Sequence, residues 1–210
     1  MKVLLVNGGP HKNGCTYTAL EEVSKTLNEE GIETEIFWIG NKPVGGCIAC
    51  KKCKEIGQCV FNDVVNEFVK KASSADGFIF GSPVHYAGIT GNMKGFMDRV
   101  FYLPFQVGIG NIFLYKPVAS VISARRAGTT ATYDGLNKYY GITQMPIISS
   151  RYWNMVHGQT PEDVRKDEEG MQIMRILGRN MAYFLKCIES GKKAGISLPK
   201  QEKITFTNFI

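Results

Sequence analysis

Four thiols lie close together in Cys47-Ile-Ala-Cys50-Lys-Lys-Cys53 and Cys59, and no other stretch of the chain concentrates so much reactive chemistry. The spacing is C-x2-C-x2-C-x5-C. Three thiolates at every third residue of a tight turn can point inward and cap three corners of a cubic iron–sulfur cluster, with a fourth arriving after a short loop. The spacing therefore predicts that Cys47, Cys50, Cys53 and Cys59 hold a [4Fe–4S] cluster. Zinc more often takes two C-x2-C knuckles separated by a longer span, so it suits this run less well. Four reduced surface thiols would produce the same string.

A chain of 210 residues can bury one sizeable core and is short for two. With 44% hydrophobic and 21% charged residues it has an ordinary globular composition. Val3 to Val6 lacks the surroundings of a signal peptide, and no run approaches the ~20 apolar residues of a membrane span, so a cytoplasmic protein is expected. In that reducing compartment six cysteines argue for metal or redox use rather than disulfides. Cys187 falls on the apolar side of a long helical pattern and is expected to be a small buried hydrophobe. The net charge of +6 is spread along the chain, with no basic stripe interleaved with aromatics, which excludes a nucleic-acid reading. It would favour an acidic redox partner or a phosphorylated cofactor.

The elements that must position these residues alternate. Lys2–Asn7 reads as a strand buried on both faces, ending in a glycine turn. Leu20, Val23 and Leu27 define a helix over 16–30, which stops at Gly31. A strand over 32–39, the cysteine loop, and a helix capped by Asp63 follow. Further strands are expected over 77–81, 116–123 and 143–148, with helices over 90–101 and 130–140. A single long helix is expected over 161–190, with Ile173, Leu177, Met181, Phe184 and Ile188 on one stripe. The alternation predicts an α/β fold: a doubly wound parallel sheet of five strands in the flavodoxin-like order 2-1-3-4-5, with helices on both faces. Residues 1–190 would form this domain, with the cysteine-rich loop at 45–60, and 191–210 a polar tail. Leu103 to Leu114 is a strongly apolar, aromatic excursion that suits the core, but a loop so greasy is expected more often to cover a ligand or meet another subunit.

Right-handed crossovers bring the loops after strands one, three and four to one edge of such a sheet. The first, Gly8-Gly9-Pro10-His11-Lys12-Asn13-Gly14-Cys15-Thr16-Tyr17, frees backbone amides at a helix start and offers the Thr16 hydroxyl, which suits a phosphate. It lacks the lysine of an ATP-type P-loop and the G-x-G-x-x-G of a dinucleotide site, so a monophosphate fits best. The third loop, Ser82 to Gly91, has a flat aromatic neighbourhood around His85 and Tyr86. The fourth, Ser123-Ala124-Arg125-Arg126-Ala127-Gly128, offers amides for heterocycle oxygens and arginines for a negatively charged reduced ring. A monophosphate cradle, an apolar slot and distant donors together describe FMN. Asp98-Arg99 reads as a structural ion pair or cap, and His157 as ordinary structure. Tyr152-Trp153-Asn154 suits either flavin contact or core packing.

The patterns G-G-P-H-K-N-G-C-T, S-P-V-H-Y-A-G-I-T-G with M-K-G-F-M-D-R, and S-A-R-R-A-G-T-T resemble the NADPH-dependent FMN reductase branch of the flavodoxin-like superfamily. With the cysteine run inserted, the chain is most similar to the iron–sulfur flavoproteins of that branch. The resemblance implies phosphate contacts at Gly9, His11, Asn13, Cys15, Thr16 and Tyr17. It also implies ring contacts at Pro83, Val84, His85, Tyr86 and Gly88, with the far edge held by Ser123, Ala124, Arg125, Arg126 and Gly128. Relatives often carry Arg at the His11 position and Asn at the Cys15 position. The implied activity is redox chemistry on FMN, with NAD(P)H or a partner such as ferredoxin as donor and the cluster passing single electrons. No side-chain acid or base is obligatory. A cluster-free NAD(P)H-dependent flavin, quinone or nitro reductase, and a non-enzymatic electron carrier, are the competing readings. A homodimer or tetramer is expected.

Overall fold

The apolar run Lys2–Asn7 forms β1, and every residue from Val3 to Asn7 is buried. The structure is a computed structural model that describes residues 1–107 and 112–209. β1 leads through the first loop into α1 (Cys15–Glu29), which ends at Gly31 with a φ of +79°. β2 (Glu33–Trp38), the cysteine segment with its single helical turn α2 (Cys53–Ile56), and α3 (Val64–Ala72) follow. Next come β3 (Gly77–His85), a short β4 (Gly88–Ile89), α4 (Gly91–Val107), β5 (Val118–Ala124) and α5 (Thr129–Ile142). β6 (Met155–His157), α6 (Pro161–Lys166) and α7 (Glu168–Lys193) complete the chain.

The sheet order is β2-β1-β3-β5-β6, all parallel, with β4 turned back antiparallel on β3. Setting β4 aside, this is the doubly wound order expected. Alternation along the central strands divides the core in two. Leu4, Val6, Phe78, Phe80, Val118 and Ile122 face one helical layer, where Phe68 of α3 and Phe96 of α4 meet with ring centroids 5.2 Å apart. Val3, Leu5, Ile79, Ala119 and Val121 face α1 and α7.

Four expectations change. The fifth strand is not a run over 143–148. Ile148 N–H donates to the Val118 carbonyl and Val118 N–H to Pro146, but the chain then leaves the sheet and returns as β6. The buried Asn154 stitches the gap: its Oδ1 accepts from Ser150 N–H, its Nδ2 donates to the Ile148 carbonyl, and its own carbonyl accepts from Ile122 N–H. The long helix over 161–190 is two, broken at Asp167, whose carboxylate caps α7 by accepting from Gly170 N–H and also accepts from His157 N–H.

The first part of the apolar stretch 103–114 is helix rather than loop, and its Phe113 joins the core. α4 runs through Pro104 to Val107. Phe113 is buried and stacked on Phe101 at 4.6 Å. The remainder of that stretch, 108–111, lies outside the described residues. Cys187 is exposed, because the buried stripe of α7 follows Ile173, Leu177, Met181 and Leu185 at a strict four-residue interval and turns Phe184 and Cys187 outward.

Candidate functional site

The first loop is held from below by Asn7. This fully buried side chain accepts from Gly9 N–H at 2.9 Å and donates to the Lys12 carbonyl at 3.0 Å. From the β2 side, Trp38 Nε1–H donates to the Gly9 carbonyl at 2.8 Å. The loop then enters α1 through Gly14, and no side chain caps that helix. Asp63, Thr160 and Asp167 cap α3, α6 and α7, while α5 starts at Gly128 without a side-chain cap, as α1 does at Gly14. Helix-start amides left without a side-chain acceptor beside a cavity are able to take an anion.

That cavity measures about 220 Å³. Gly9, His11, Cys15 and Thr16 line it from the first loop, Pro83 and His85 from the third, and Ser123 from the fourth. On its wall the Thr16 and Ser123 hydroxyls are hydrogen-bonded to each other at 2.8 Å. Burial pushes the Cys15 thiol up, reinforced by Asp163 and Glu162 of α6, so it stays protonated at neutral pH. Asn13, Tyr17, Val84, Tyr86, Gly88, Ala124, Arg125, Arg126 and Gly128 do not line this cavity. They form its rim or stand off it.

On that rim the β3–β4 hairpin turns through Tyr86 and Ala87, both with left-handed φ, +49° and +57°. Such a two-residue turn favours glycine and asparagine, so a tyrosine and an alanine here store strain where the three loops converge. Tyr86 is fully solvent-exposed. Gly128 closes the gap between the third and fourth loops: a Cβ there would sit 2.6 Å from Ala87 Cα. Arg125 and Arg126 are exposed.

All four cysteines of the C-x2-C-x2-C-x5-C run line a second cavity, against Arg99 and Tyr102 of α4. Cys47 and Cys50 are exposed, Cys53 is buried and Cys59 half-buried. Ala49 and Lys51, flanking Cys50, both have left-handed φ, which winds the backbone tightly between the thiols. The segment lies close on α4 because Gly95 has no Cβ; one would stand 2.5 Å from the Val44 carbonyl oxygen. Among the described residues no group of three or more His, Cys, Asp or Glu side chains is arranged to grip a single metal ion. A cubic cluster takes one thiolate at each of four corners rather than four around one atom, and the four thiols bordering this cavity are the residues that would hold one.

Asp98 and Arg99 do not pair with each other. Asp98 takes Lys94 and the Tyr139 hydroxyl. Arg99 turns to the cysteine cavity, where Nη1 and Nη2 donate to the Asp63 carboxylate at 2.7 and 2.8 Å, and Nε and Nη2 to Cys59 Sγ at 3.3 and 3.1 Å. Burial alone would ease the proton off; the Asp63 and Cys59 hydrogen bonds outweigh it and keep the guanidinium charged. Asn7, Trp38 and Arg99 were not visible as site residues in the sequence, since each acts through a partner distant along the chain.

The chain is similar to several known proteins. An iron–sulfur flavoprotein of Methanocaldococcus jannaschii is 32% identical over 194 residues, spanning 90% of this chain and all of that one. An iron–sulfur flavoprotein of Methanosarcina thermophila is 25% identical, over 91% of this chain and 99% of its own. Among solved structures, a flavone reductase superposes with a TM-score of 0.67 at 21% identity, over 90% of this chain and 64% of that one. An archaeal flavodoxin superposes with a TM-score of 0.59 at 13% identity, over 89% and 99%. These last two likenesses speak for the fold. The profile of the NADPH-dependent FMN reductase family matches residues 1–160, and the chain is a flavin-dependent oxidoreductase belonging to that family.

Proposed function

We propose that this chain seats FMN with its phosphate at the uncapped start of α1, and holds a [4Fe–4S] cluster on Cys47, Cys50, Cys53 and Cys59 as a one-electron relay. The observation that carries the reading is the convergence of all four cysteines on one cavity beside α4. The relatives named iron–sulfur flavoproteins support it. When bound, FMN supplies two-electron hydride acceptance and one-electron exchange, chemistry the side chains lack.

The chain's own residues bind and orient. Backbone amides after Gly14, with the His11 side chain, Asn13, Cys15, Thr16 and Tyr17 nearby, take the phosphate. Thr16 and Ser123 tie that end to the fourth loop. Pro83, Val84, His85, Tyr86 and Gly88 flank the ring, and residues 123–128 meet its far edge, where Arg125 and Arg126 add positive charge. NAD(P)H or ferredoxin is the proposed donor, and a homodimer or tetramer the proposed assembly.

Anaerobically prepared protein should show flavin bands with a broad cluster shoulder, and iron and acid-labile sulfide near four of each per chain. Flavin without iron or sulfide would remove the cluster and keep the rest. A second reading, a cluster-free NAD(P)H-dependent reductase, is favoured by the exposure of Cys47 and Cys50 and by the family match. Undiminished turnover of metal-depleted protein selects it.

A further inference from the structure

Arg99 is only 2% exposed, and every face of its guanidinium is engaged. Beyond the Asp63 carboxylate and Cys59 Sγ, Nη1 donates to the Gly45 carbonyl and Nη2 to that of Phe61, while the Phe61 ring lies 4.8 Å from Cζ. Asp63 is itself fixed, because its Oδ1 accepts from Val65 N–H as the cap of α3. Cys59 is equally fixed: Asn66 accepts from its N–H and donates to its carbonyl, both at 2.9 Å. Two rigid anchors therefore aim the arginine at one sulfur.

The charge balance makes that aim informative. Asp63 alone satisfies the arginine as an ion pair. Spending two further donors on a neutral thiol would bury them against a weak acceptor, whereas a metal-bound thiolate is a strong, charged one. Hydrogen bonds to the sulfurs and nearby charge set the potential of an iron–sulfur centre. Uptake of one electron makes the cluster and its thiolates more negative, so donors already aimed at Cys59 stabilise the reduced form more than the oxidised form.

We propose that Arg99 is a positioning residue that raises the electron affinity of the cysteine-bound cluster through its paired hydrogen bonds to Cys59, with Asp63 as the counter-charge that moderates it. This rests on the cluster reading above.

The test is an anaerobic redox titration of the full-length holoprotein with dithionite and mediators. The reduced cluster is followed by electron paramagnetic resonance and the flavin by absorbance. Arg99→Leu should lower the reduced-to-oxidised ratio of the cluster about tenfold at the wild-type midpoint, a fall of about 59 mV for a one-electron couple. Asp63→Asn should move it the opposite way, Arg99→Lys should fall between wild type and Leu, and the flavin midpoint should hold in all three. Cluster midpoints unchanged while iron and sulfide are retained overturn the proposal, as does an equal shift of flavin and cluster. Should Arg99→Leu fail to assemble, Asp63→Asn and Arg99→Lys decide it, and unchanged midpoints in both refute it. Absence of iron and sulfide from the unmodified protein overturns the underlying cluster reading instead, and is seen before any variant is made.

Discussion

The hydroxyls of Thr16 and Ser123, 107 residues apart in sequence, meet at 2.8 Å between the start of α1 and the end of β5. Thr16 is buried, so this contact fixes the start of α1 relative to the fourth loop at the cavity wall. Thr16→Val keeps the volume and removes the bond. The bond is present without FMN, so its loss, about 1 kcal/mol, falls first on the fold, and FMN affinity should fall because the first loop is no longer tied to the fourth. Thr16→Ser should restore most of it. Fluorescence titration of the apoprotein with FMN measures both, and equal affinities for Val and wild type would remove the contact from the site.

Tyr86 projects into solvent from a strained turn at the cavity rim. A side chain with no packing role should change stability by less than about 0.5 kcal/mol when truncated. Aromatic pairing with a bound ring is worth about 0.5–1.5 kcal/mol. Tyr86→Ala should therefore leave the melting temperature in place and weaken FMN binding about threefold or more. A destabilised variant with unaltered FMN affinity contradicts the placement of Tyr86 at the ring.

Gly128 combines a φ of +89° with contact against Ala87. Gly128→Ala adds left-handed strain of about 1–2 kcal/mol and pushes the third loop from the fourth. Denaturant titration should show at least that loss, accompanied by weaker FMN binding. Retention of both would mean the loops separate freely.

Asn154→Ala leaves Ser150 N–H and the Ile148 carbonyl without their partner inside the sheet edge. An unsatisfied buried polar group costs about 1–3 kcal/mol. The expected result is a loss of that size in chemical denaturation. A change below about 0.5 kcal/mol would show that the edge closes without it.

Glu35 accepts from Lys71 and Lys2, which hold its carboxyl below the usual 4.5. The unfolded chain therefore takes up that proton first as acid is added. The stability this group provides is whole above about pH 4.5 and is lost as pH falls through the depressed folded value. Glu35→Gln should be less stable at neutral pH and show a flatter acid limb in melting temperature against pH. Parallel acid limbs would show that Glu35 does not couple folding to protonation.

Local and periodic signals were legible. The apolar run of β1, the stop at Gly31 and the Asp63 cap each depend on neighbours within one turn or one strand. The convergence of the first, third and fourth loops followed from handedness and strand order, whereas the choice of Gly9, Thr16, Pro83, His85 and Ser123 within them came from the family resemblance. What could not be read depended on distant partners. β6 is held by Asn154 across a break, with too few residues to show alternation. Pro104 continues α4 where local chemistry argues for a stop, because Phe101 and Leu103 are anchored in the core. Arg99 finds Asp63 36 residues away, although Asp98 is its chain neighbour.

Trp38 closes β2, immediately ahead of the cysteine segment, and grips Gly9 with its indole N–H. Its ring is thus a native optical probe tied to the first loop, and Trp153 is the only other indole in the chain. Substituting Trp153 by Phe would leave an emission signal that reports cofactor loading without any attached dye.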